Sequence, residues 1–434
     1  MKLNQEQMQF LKSLIAIRSV SGTPEETDGR PGTPYGSAPR AALSFFLDNA
    51  SKSGFSTGVL DNRVGWCEIG EGERLIGIIC HLDVVPAGEG WDTDPFTLTE
   101  KDGLLIGRGV VDDKGPAAAS FFAMQSILED GIPEGYRIRL ILGTDEERTC
   151  SCVEYYDQNG EIPDIAITPD AEFPAIYAEK GILHVKISDT RPLQTDISIT
   201  SGNAANMVAP SATVTSGDGT ELFTVRGRTA HASRPELGIN AIDLLPSALK
   251  DNGLDAEIPL VDFISNYDKD SLTDTEDESG SLTSNHGILR IKGSEQYLVT
   301  DIRYPVTASF DDIIANMKEQ ADRYGLKVEI DSHMPPLYKP KDSDVIKKLT
   351  TIWNRHMSGF DGFKEEYRGI YSQPGTMGGG TYARHIRNTV AFGPRAPWSE
   401  DMCHQANERM SLRDFEELID TIKDAVLELG KPEA

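Results

Sequence analysis

The chain is long and acidic. Its 434 residues include 69 acidic and 42 basic side chains, which gives a formal net charge of −27. A charge of this sign argues against nucleic acid and anionic membrane surfaces as partners, because both are themselves negative. The length exceeds what one ordinary hydrophobic core holds, so we expect two domains.

The cysteine content and the absence of long apolar runs bear on the location of the protein. Five cysteines without a Cys-x-x-Cys pair indicate a reducing compartment rather than a disulfide framework. The segment from Met1 to Glu6 has no signal-peptide pattern, and no apolar run approaches the length of a membrane span. We therefore expect a cytoplasmic protein that does not enter a membrane.

Apolar periodicity predicts alternating helices and short strands in the first part of the chain. A loop rich in Gly, Pro and Thr is expected over 21–37. The predicted helices are 4–17, 39–53 and 116–129, and the predicted strands are 58–60, 65–69, 75–80, 137–142 and 163–168.

The pattern changes between residues 181 and 338. Alternating strands predominate there, which indicates an inserted α+β domain. The predicted strands are 184–187, 221–226 and 297–303, the predicted helices are 240–249 and 310–324, and an exposed acidic loop is expected over 268–284. After this region the chain resumes with helices over 344–356 and 415–429 and a strand over 389–392.

Metal-competent side chains follow four of the predicted strands. Ligands of open α/β sheets bind outside the carboxyl ends of the strands, so we expect these side chains to meet in one crevice. The residues are His81 after 75–80, Glu146 and Glu147 after 137–142, Asp170 after 163–168, and His404 after 389–392 and a loop.

Two shorter patterns have both a functional and an ordinary interpretation. Asp83 follows His81 by two positions, as a carboxylate that orients a metal-binding imidazole does. Asp112 and Asp113 are adjacent acids, for which a divalent cation is the simplest neutralising partner. Taken alone, His81 could cap a strand and the Asp pair could form a solvated turn. The four strand ends together favour the metal site.

The donor set predicts the kind of metal chemistry. Imidazole and carboxylate ligands without thiolates suit a pair of hydrolytic divalent cations, with zinc first and manganese or cobalt as substitutes. Such a pair needs one bridging acid, further ligands for each ion and one uncoordinated carboxylate as general base. The adjacent Glu146 and Glu147 can divide the last two roles between them.

Five sequence blocks give a specific resemblance. HLDVVPAGEGW, GRGVVDDKGP, GTDEE, TPDAEFP and MCHQANE resemble the co-catalytic zinc peptidases related to aminoacylase, carnosinase and carboxypeptidase G, and most closely the bacterial peptidase V type of dipeptidase. The resemblance implies an α/β catalytic domain, with a central mixed sheet flanked by helices, interrupted by an inserted α+β lid domain. The expected boundaries are 1–181 and 339–434 for the catalytic domain and 182–338 for the lid.

The resemblance also implies roles for the site residues. Asp112 would bridge two zinc ions, and a cis peptide would follow it. Glu146 would be the general base, and Asp83 would orient His81. The remaining ligands would be His81 and Asp170 for one ion, and Glu147 and His404 for the other.

Three lid residues match substrate-contacting positions of that family. His231 would stabilise the oxyanion of the scissile carbonyl, and Arg303 would pair with the C-terminal carboxylate of the substrate. Asn206 would be a third contact to the substrate. Taken without the resemblance, these are also an ordinary loop His, a strand-edge Arg and a turn Asn.

A glycine-rich segment is the last candidate for substrate binding. It lacks the GxxxxGK[ST] pattern of nucleotide-binding loops. The segment is expected to enter a helix, and backbone amides at that helix start could instead hold the substrate carboxylate. The residues are Gly379, Gly380 and Thr381.

The sequence thus predicts a monomeric dinuclear metallodipeptidase that acts on dipeptides with a free N-terminus. One alternative is a deacylase of N-acyl amino acids with the same chemistry. A second is a non-catalytic binding protein, which would be expected to lack Glu146 or a ligand. Three cysteines near the expected site, Cys150, Cys152 and Cys403, are interpreted as bystanders because the ligand set is complete without them.

Overall fold

The structure is a computed structural model that describes residues 1–22, 32–132, 134–254 and 257–431. The chain divides into two compact units. The first consists of Met1–Tyr177, Lys339–Gly375 and Thr381–Ala434, and the second of Ala178–Tyr338 and Thr376–Gly380. Most of the loop predicted over 21–37 lies outside the described residues.

The α-helices of the described residues are spread over the whole chain. They are α1 (Gln5–Ile15), α2 (Ser37–Lys52), α3 (Lys114–Asp130), α4 (Ser151–Asn159), α5 (Ala241–Asp251), α6 (Pro259–Asn266), α7 (Phe310–Asp322), α8 (Asp344–His356), α9 (Tyr367–Tyr371) and α10 (Leu412–Gly430). Local sequence fixes several starts. In α1, for example, the side chains of Asn4 and Gln7 form a reciprocal capping box.

The strands are mostly short. They are β1 (Ser56–Leu60), β2 (Val64–Gly70), β3 (Arg74–His81), β4 (Thr99–Lys101), β5 (Leu104–Ile106), β6 (Tyr136–Gly143), β7 (Ile165–Thr168), β8 (Ala171–Glu172), β9 (Ile176–Glu179), β10 (Gly181–Ser188), β11 (Ile197–Ser201), β12 (Ser211–Ser216), β13 (Glu221–Arg226), β14 (Thr283–Lys292), β15 (Glu295–Tyr304), β16 (Lys327–Met334), β17 (Leu337–Tyr338), β18 (Gly375–Met377), β19 (Thr389–Ala391), β20 (Pro394–Arg395) and β21 (Arg409–Ser411).

The first unit is built on a mixed sheet whose strands run in the order β1-β2-β6-β3-β7-β19-β9. The strands β6, β3, β7 and β19 are parallel to one another, whereas β1 pairs with β2, β2 with β6, and β9 with β19 in antiparallel fashion. The central strand β3 is buried along nearly its whole length, as expected of a parallel strand that is covered on both faces.

Helices cover both faces of this sheet. On one face, Ile79 of β3 and Ile141 of β6 lie in a core with Val153 and Tyr156 of α4. On the other face, Cys80 Sγ lies 3.8 Å from Ser120 Oγ of α3, and α3 packs against α10. Successive residues of β3 therefore point into different cores, which fixes the register of the strand.

The second unit contains a fully antiparallel sheet in the order β13-β12-β11-β14-β15-β10-β16. Helices α5, α6 and α7 pack on it. Leu245 of α5, Phe263 of α6 and Ile313 of α7 share one buried core with Leu183 and Leu298 of the sheet.

The predicted elements are largely confirmed, with differences at short or polar segments. Helix α8 has the predicted bounds of 344–356. The acidic passage over 268–284 is more ordered than the predicted loop, since Asp277 accepts hydrogen bonds from Ser279 and Thr307 and β14 begins at Thr283. The short helix α4 was not predicted at all.

Candidate metal centre

The register of the parallel strands brings the predicted strand-end residues to one edge of the first unit's sheet. His81, the last residue of β3, pairs with Gly143, the last residue of β6. The backbone N–H of Leu82 then donates to Gly143 O at 3.0 Å. Glu146 and Glu147 follow β6 on this edge, and Asp170 follows the neighbouring β7.

The carboxylate of Asp112 lies between two imidazoles. Its Oδ1 is 2.9 Å from Nε2 of His81, and its Oδ2 is 3.0 Å from Nε2 of His404. One oxygen thus faces each histidine, which is the arrangement of a carboxylate that bridges two ions. The peptide bond between Asp112 and Asp113 is cis, as the resemblance implied.

Each imidazole has a further carboxylate beside it. Oε2 of Glu147 is 3.1 Å from His404 Nε2, and Oδ2 of Asp170 is 3.7 Å from His81 Nε2. The structure therefore brings all five predicted ligands together. There are two groups in which all the ligand atoms lie within 4.8 Å of one another. One consists of His81, Asp112 and Glu147, and the other of His81, Glu146 and Asp170.

This donor set fits a pair of divalent cations. It contains nitrogen and oxygen ligands, and tetrahedral zinc with bonds of about 2.0–2.1 Å holds its ligands about 3.3 Å apart. The four distances between imidazole nitrogen and carboxylate oxygen, 2.9 to 3.7 Å, span that value. Burial, followed by the nearby Asp112 carboxylate, raises the pKa of both Glu147 and Asp170. Cations would offset this repulsion.

Asp83 holds His81 mainly through its backbone. The carbonyl oxygen of Asp83 is 3.0 Å from Nδ1 of His81, whereas its carboxylate Oδ1 is 3.5 Å away. A carbonyl oxygen only accepts, so Nδ1 carries the proton in the neutral ring. Nε2 then keeps its lone pair for a metal ion, on the side of Asp112.

The carboxylate of Asp83 has a second set of partners that the sequence did not predict. Its Oδ1 accepts the backbone N–H of Glu146 and its Oδ2 that of Glu147, both at 3.1 Å. Asp83 is fully buried. It therefore connects the histidine at the end of β3 to the two glutamates after β6.

Glu146 has the environment of a tuned acid or base. Burial raises its pKa to about 8, and the neighbouring carboxylates of Glu147 and Asp112 act in the same direction while His81 opposes them. Its carboxylate also belongs to the second set of ligand atoms. The distances alone thus allow Glu146 both the predicted role of base and that of a ligand.

Burial raises the pKa of the three cysteines near these residues. Cys152 Sγ lies 3.2 Å from the hydroxyl of Tyr382, and burial raises the pKa of this thiol to about 12. Burial also raises the pKa of Cys150 and Cys403. A thiol with a raised pKa is a poor metal ligand and nucleophile, which supports the interpretation of all three as bystanders.

In the second unit, the loops of Asn206 and His231 are paired through their backbones. Met207 and His231 form an isolated antiparallel bridge, and Ala232 N donates to Asn206 O at 2.8 Å. The backbone N–H of Ser233 donates to Nδ1 of His231 at 3.2 Å. Nδ1 is thus an acceptor, and the proton of the neutral ring lies on Nε2.

Arg303 is buried and held by a bidentate ion pair. Its Nε and Nη2 donate to the two carboxylate oxygens of Asp301 at 2.6 and 2.7 Å, and its Nη1 donates to Gly378 O at 3.0 Å. Nε2 of His184 lies 2.9 Å from the same Asp301 carboxylate. These three bonds use three of the five N–H donors of the guanidinium, and two remain for a ligand.

The prediction of a helix after the glycine-rich segment is wrong. A three-residue 3₁₀ turn, Tyr382–Arg384, follows instead, and the side chain of Thr381 accepts the backbone N–H of Ala383 at its start. Gly378 lies beside Ser233 as well as Arg303. Gly379 and Gly380 belong to the second unit with them, whereas Thr381 is a buried residue of the first.

The comparison with protein families gives one match over most of the chain. Residues 77–428 match the family described as peptidase family M20/M25/M40. The chain therefore belongs to this peptidase family, and the resemblance seen in the sequence blocks is confirmed.

Two bacterial relatives cover nearly the full length of the chain. YtjP of Bacillus subtilis is 34% identical over 97% of this chain and 96% of its own length. SH1171 of Staphylococcus haemolyticus is 32% identical over 93% of each chain. Both carry provisional dipeptidase names.

Solved structures share the fold. Human carnosine dipeptidase 1 superimposes with a TM-score of 0.60 at 17% identity, over 98% of this chain and 96% of that one. The dipeptidase Dug1p of Saccharomyces cerevisiae gives a TM-score of 0.60 at 14% identity, over 99% of this chain and 96% of that one.

Among the described residues, the structure has no helix that is both long enough and apolar enough to cross a membrane.

Proposed function

We propose that the chain is a dinuclear metal-dependent dipeptidase that hydrolyses the peptide bond of dipeptides with a free N-terminus. The observation that carries the proposal is the Asp112 carboxylate, with one oxygen facing His81 and the other facing His404. The dipeptidase names of the bacterial relatives support the choice of substrate.

In this proposal the Asp112 carboxylate would contribute to the binding of both members of a pair of zinc ions, for which manganese or cobalt could substitute. His81 and Asp170 would help to hold one ion, and Glu147 and His404 would help to hold the other. When bound, the ions supply Lewis acidity that lowers the pKa of water and polarises a carbonyl group. The Nδ1–H bond to the Asp83 carbonyl holds His81 in the tautomer that such a site requires.

Glu146 is the general base of the proposal. Its carboxylate takes a proton from the attacking water and returns it to the amine of the departing amino acid. The raised pKa of about 8 reflects burial and neighbouring carboxylates. Bound ions would offset the charge of those carboxylates, and the pKa of Glu146 would then fall towards the range that a base needs at neutral pH.

The second unit is proposed as the lid that binds the substrate, with boundaries near residues 182 and 338. His231 donates from Nε2 to the carbonyl oxygen, and this charge stabilisation grows as the oxyanion forms. Arg303 uses its two remaining N–H donors for the C-terminal carboxylate, and Asn206 lies on the loop paired with that of His231. Backbone amides at Gly379 and Gly380, with Thr381, remain candidates for the same carboxylate.

A substrate panel tests the proposal. Purified protein is assayed on Ala-X dipeptides, on the N-acetyl forms of the same amino acids and on tripeptides, before and after dialysis against a chelator. We expect hydrolysis of the dipeptides, loss on chelation and recovery with Zn²⁺, Mn²⁺ or Co²⁺. A preference for N-acetyl amino acids would assign a deacylase instead, and full activity without metal would contradict the mechanism.

The five cysteines, all of them free thiols, support a cytoplasmic location as part of the proposal. We further propose that the protein acts as a monomer. The size of the second unit is the basis for this, because a long insertion can supply within one chain a surface that smaller lids obtain from a second subunit.

A further inference from the structure

A second buried carboxylate, Glu408, holds the loop that carries Asp112. Its Oε2 accepts from Arg108 Nη1 at 2.6 Å and from Gly109 N at 3.0 Å. Its Oε1 accepts from Val111 N at 2.8 Å and from Asp112 N at 3.2 Å. Glu408 is fully buried, and both of its oxygens are thus occupied by donors of a single loop.

The same residue connects this loop to the segment that carries His404, four positions earlier in the chain. Glu408 also accepts through its backbone, since Gly107 N donates to its carbonyl oxygen at 3.0 Å. The preceding Asn407 accepts from Asp92 N at 2.8 Å and donates to Gly90 O at 3.3 Å. The His404 segment is therefore joined to the loop after His81 as well.

Arg108 completes the connection. Its guanidinium, paired with Glu408, donates from Nη2 to Ala87 O at 3.3 Å and lies 5.3 Å from the ring centre of Trp91. Three loops thus meet at one buried ion pair: the loop that follows His81 and the loops that carry Asp112 and His404. In the sequence Glu408 closes the MCHQANE block, but no pattern there assigned it a role.

We propose that Glu408 is a positioning residue that fixes the backbone of Asp112, so that one oxygen of that carboxylate faces His81 and the other faces His404, where the two ions would be held. The inference rests on the proposed dinuclear function. Removing one acceptor oxygen leaves buried N–H donors without a partner and frees the Asp112 loop. Partners behind metal ligands typically change metal affinity by roughly 10–100-fold, which is the loss expected here.

The competing explanation is that Glu408 only stabilises the fold. Glu68 provides a matched control because it is a partly buried carboxylate of the same unit, 2.6 Å from Arg139, on strand β2 away from these loops. Glu408→Gln and Glu68→Gln make the same chemical change. Glu408→Asp keeps the charge but shortens the side chain, which moves both oxygens away from the loop. This variant is measured instead if Glu408→Gln does not fold.

The probe is Co²⁺ titrated into chelator-treated protein, followed by calorimetry and by visible absorption, with thermal unfolding measured separately. We expect two ions in the wild type and in Glu68→Gln, and affinity roughly 10–100-fold weaker with an altered spectrum in the Glu408 variants. Wild-type binding and spectrum in a folded Glu408 variant would overturn the inference alone. Fewer than two ions in the wild type would contradict the proposed function, and the inference with it.

Discussion

The carboxylate of Asp83 accepts the backbone N–H of Glu146 through Oδ1 at 3.1 Å, and through Oδ2 it binds the next residue in the same way. Asp83 therefore positions the proposed base as well as the imidazole of His81. Asp83→Asn retains only one acceptor oxygen, so one of the two N–H groups loses its partner. We expect kcat to fall roughly 10–100-fold while both ions remain bound.

Asp164 is the control for this prediction. It accepts a hydrogen bond of 2.7 Å from the backbone N–H of Leu75, at the opposite end of β3 from His81. Asp164→Asn makes the same chemical change beside the same strand and should leave kcat unchanged. Steady-state kinetics and metal content of both variants decide the matter. Equal losses in the two variants would assign Asp83 a general structural role.

The adjacent glutamates are expected to differ in what they lose. Glu146→Gln removes the proton acceptor, so it should retain two ions and lose turnover by roughly 10²–10⁴-fold. Glu147→Gln removes a partner of His404 and should weaken the binding of one ion. Metal analysis and single-turnover kinetics of both variants test this. If Glu146→Gln loses an ion and regains activity when metal is added, the two assignments are reversed.

His356 is expected to make the stability of the first unit depend on pH. Its Nδ1 is 2.7 Å from Glu417 and its Nε2 is 3.1 Å from Asp424, which also pairs with Arg355. Burial alone lowers the pKa of His356, but hydrogen bonds to the two carboxylates outweigh it and raise the pKa. Because the pKa of His356 is raised in the folded state, its interactions stabilise the fold most at pH values below the unfolded pKa of about 6.5. This contribution is lost as the pH rises through the folded pKa.

The measurement is thermal unfolding at pH 6 and pH 9, with chelator present throughout. His356→Gln should cost on the order of 1 kcal/mol at pH 6 and less at pH 9. Arg355→Gln removes the other partner of Asp424 and serves as the control, because its cost should change less between the two pH values. A cost of His356→Gln that does not change with pH would contradict the prediction.

The sequence predicted well the parts of the fold that are marked either by an uninterrupted apolar run or by apolar residues at regular helical spacing. The strand around Ile76 and the helix over 344–356 are examples, because burial on both faces or on one helical face leaves a clear pattern. Helix α4 was missed because it is short and only three of its residues are buried. The helix expected after Thr381 was wrong because a cap and a glycine-rich approach do not reveal how many turns follow.

The ligands could be predicted because each one follows a strand or lies in a recognisable block. Glu408 could not be assigned in this way, since its partner Arg108 is 300 positions away in the chain. The two roles of Asp83 were likewise only half predicted. Spacing suggested a bond to His81, but the bonds to the backbone of Glu146 depend on the alignment of β3 with β6.

The last prediction concerns which chain supplies His231 to the active site. His231 belongs to the second unit and Glu146 to the first, so one variant of each can be combined. In a mixture of His231→Ala and Glu146→Ala chains, each chain keeps what the other lacks. If a monomer uses its own His231, activity should stay at the sum of the two separate variants. Recovery on mixing, together with a dimer in sedimentation, would show a shared site and overturn the prediction.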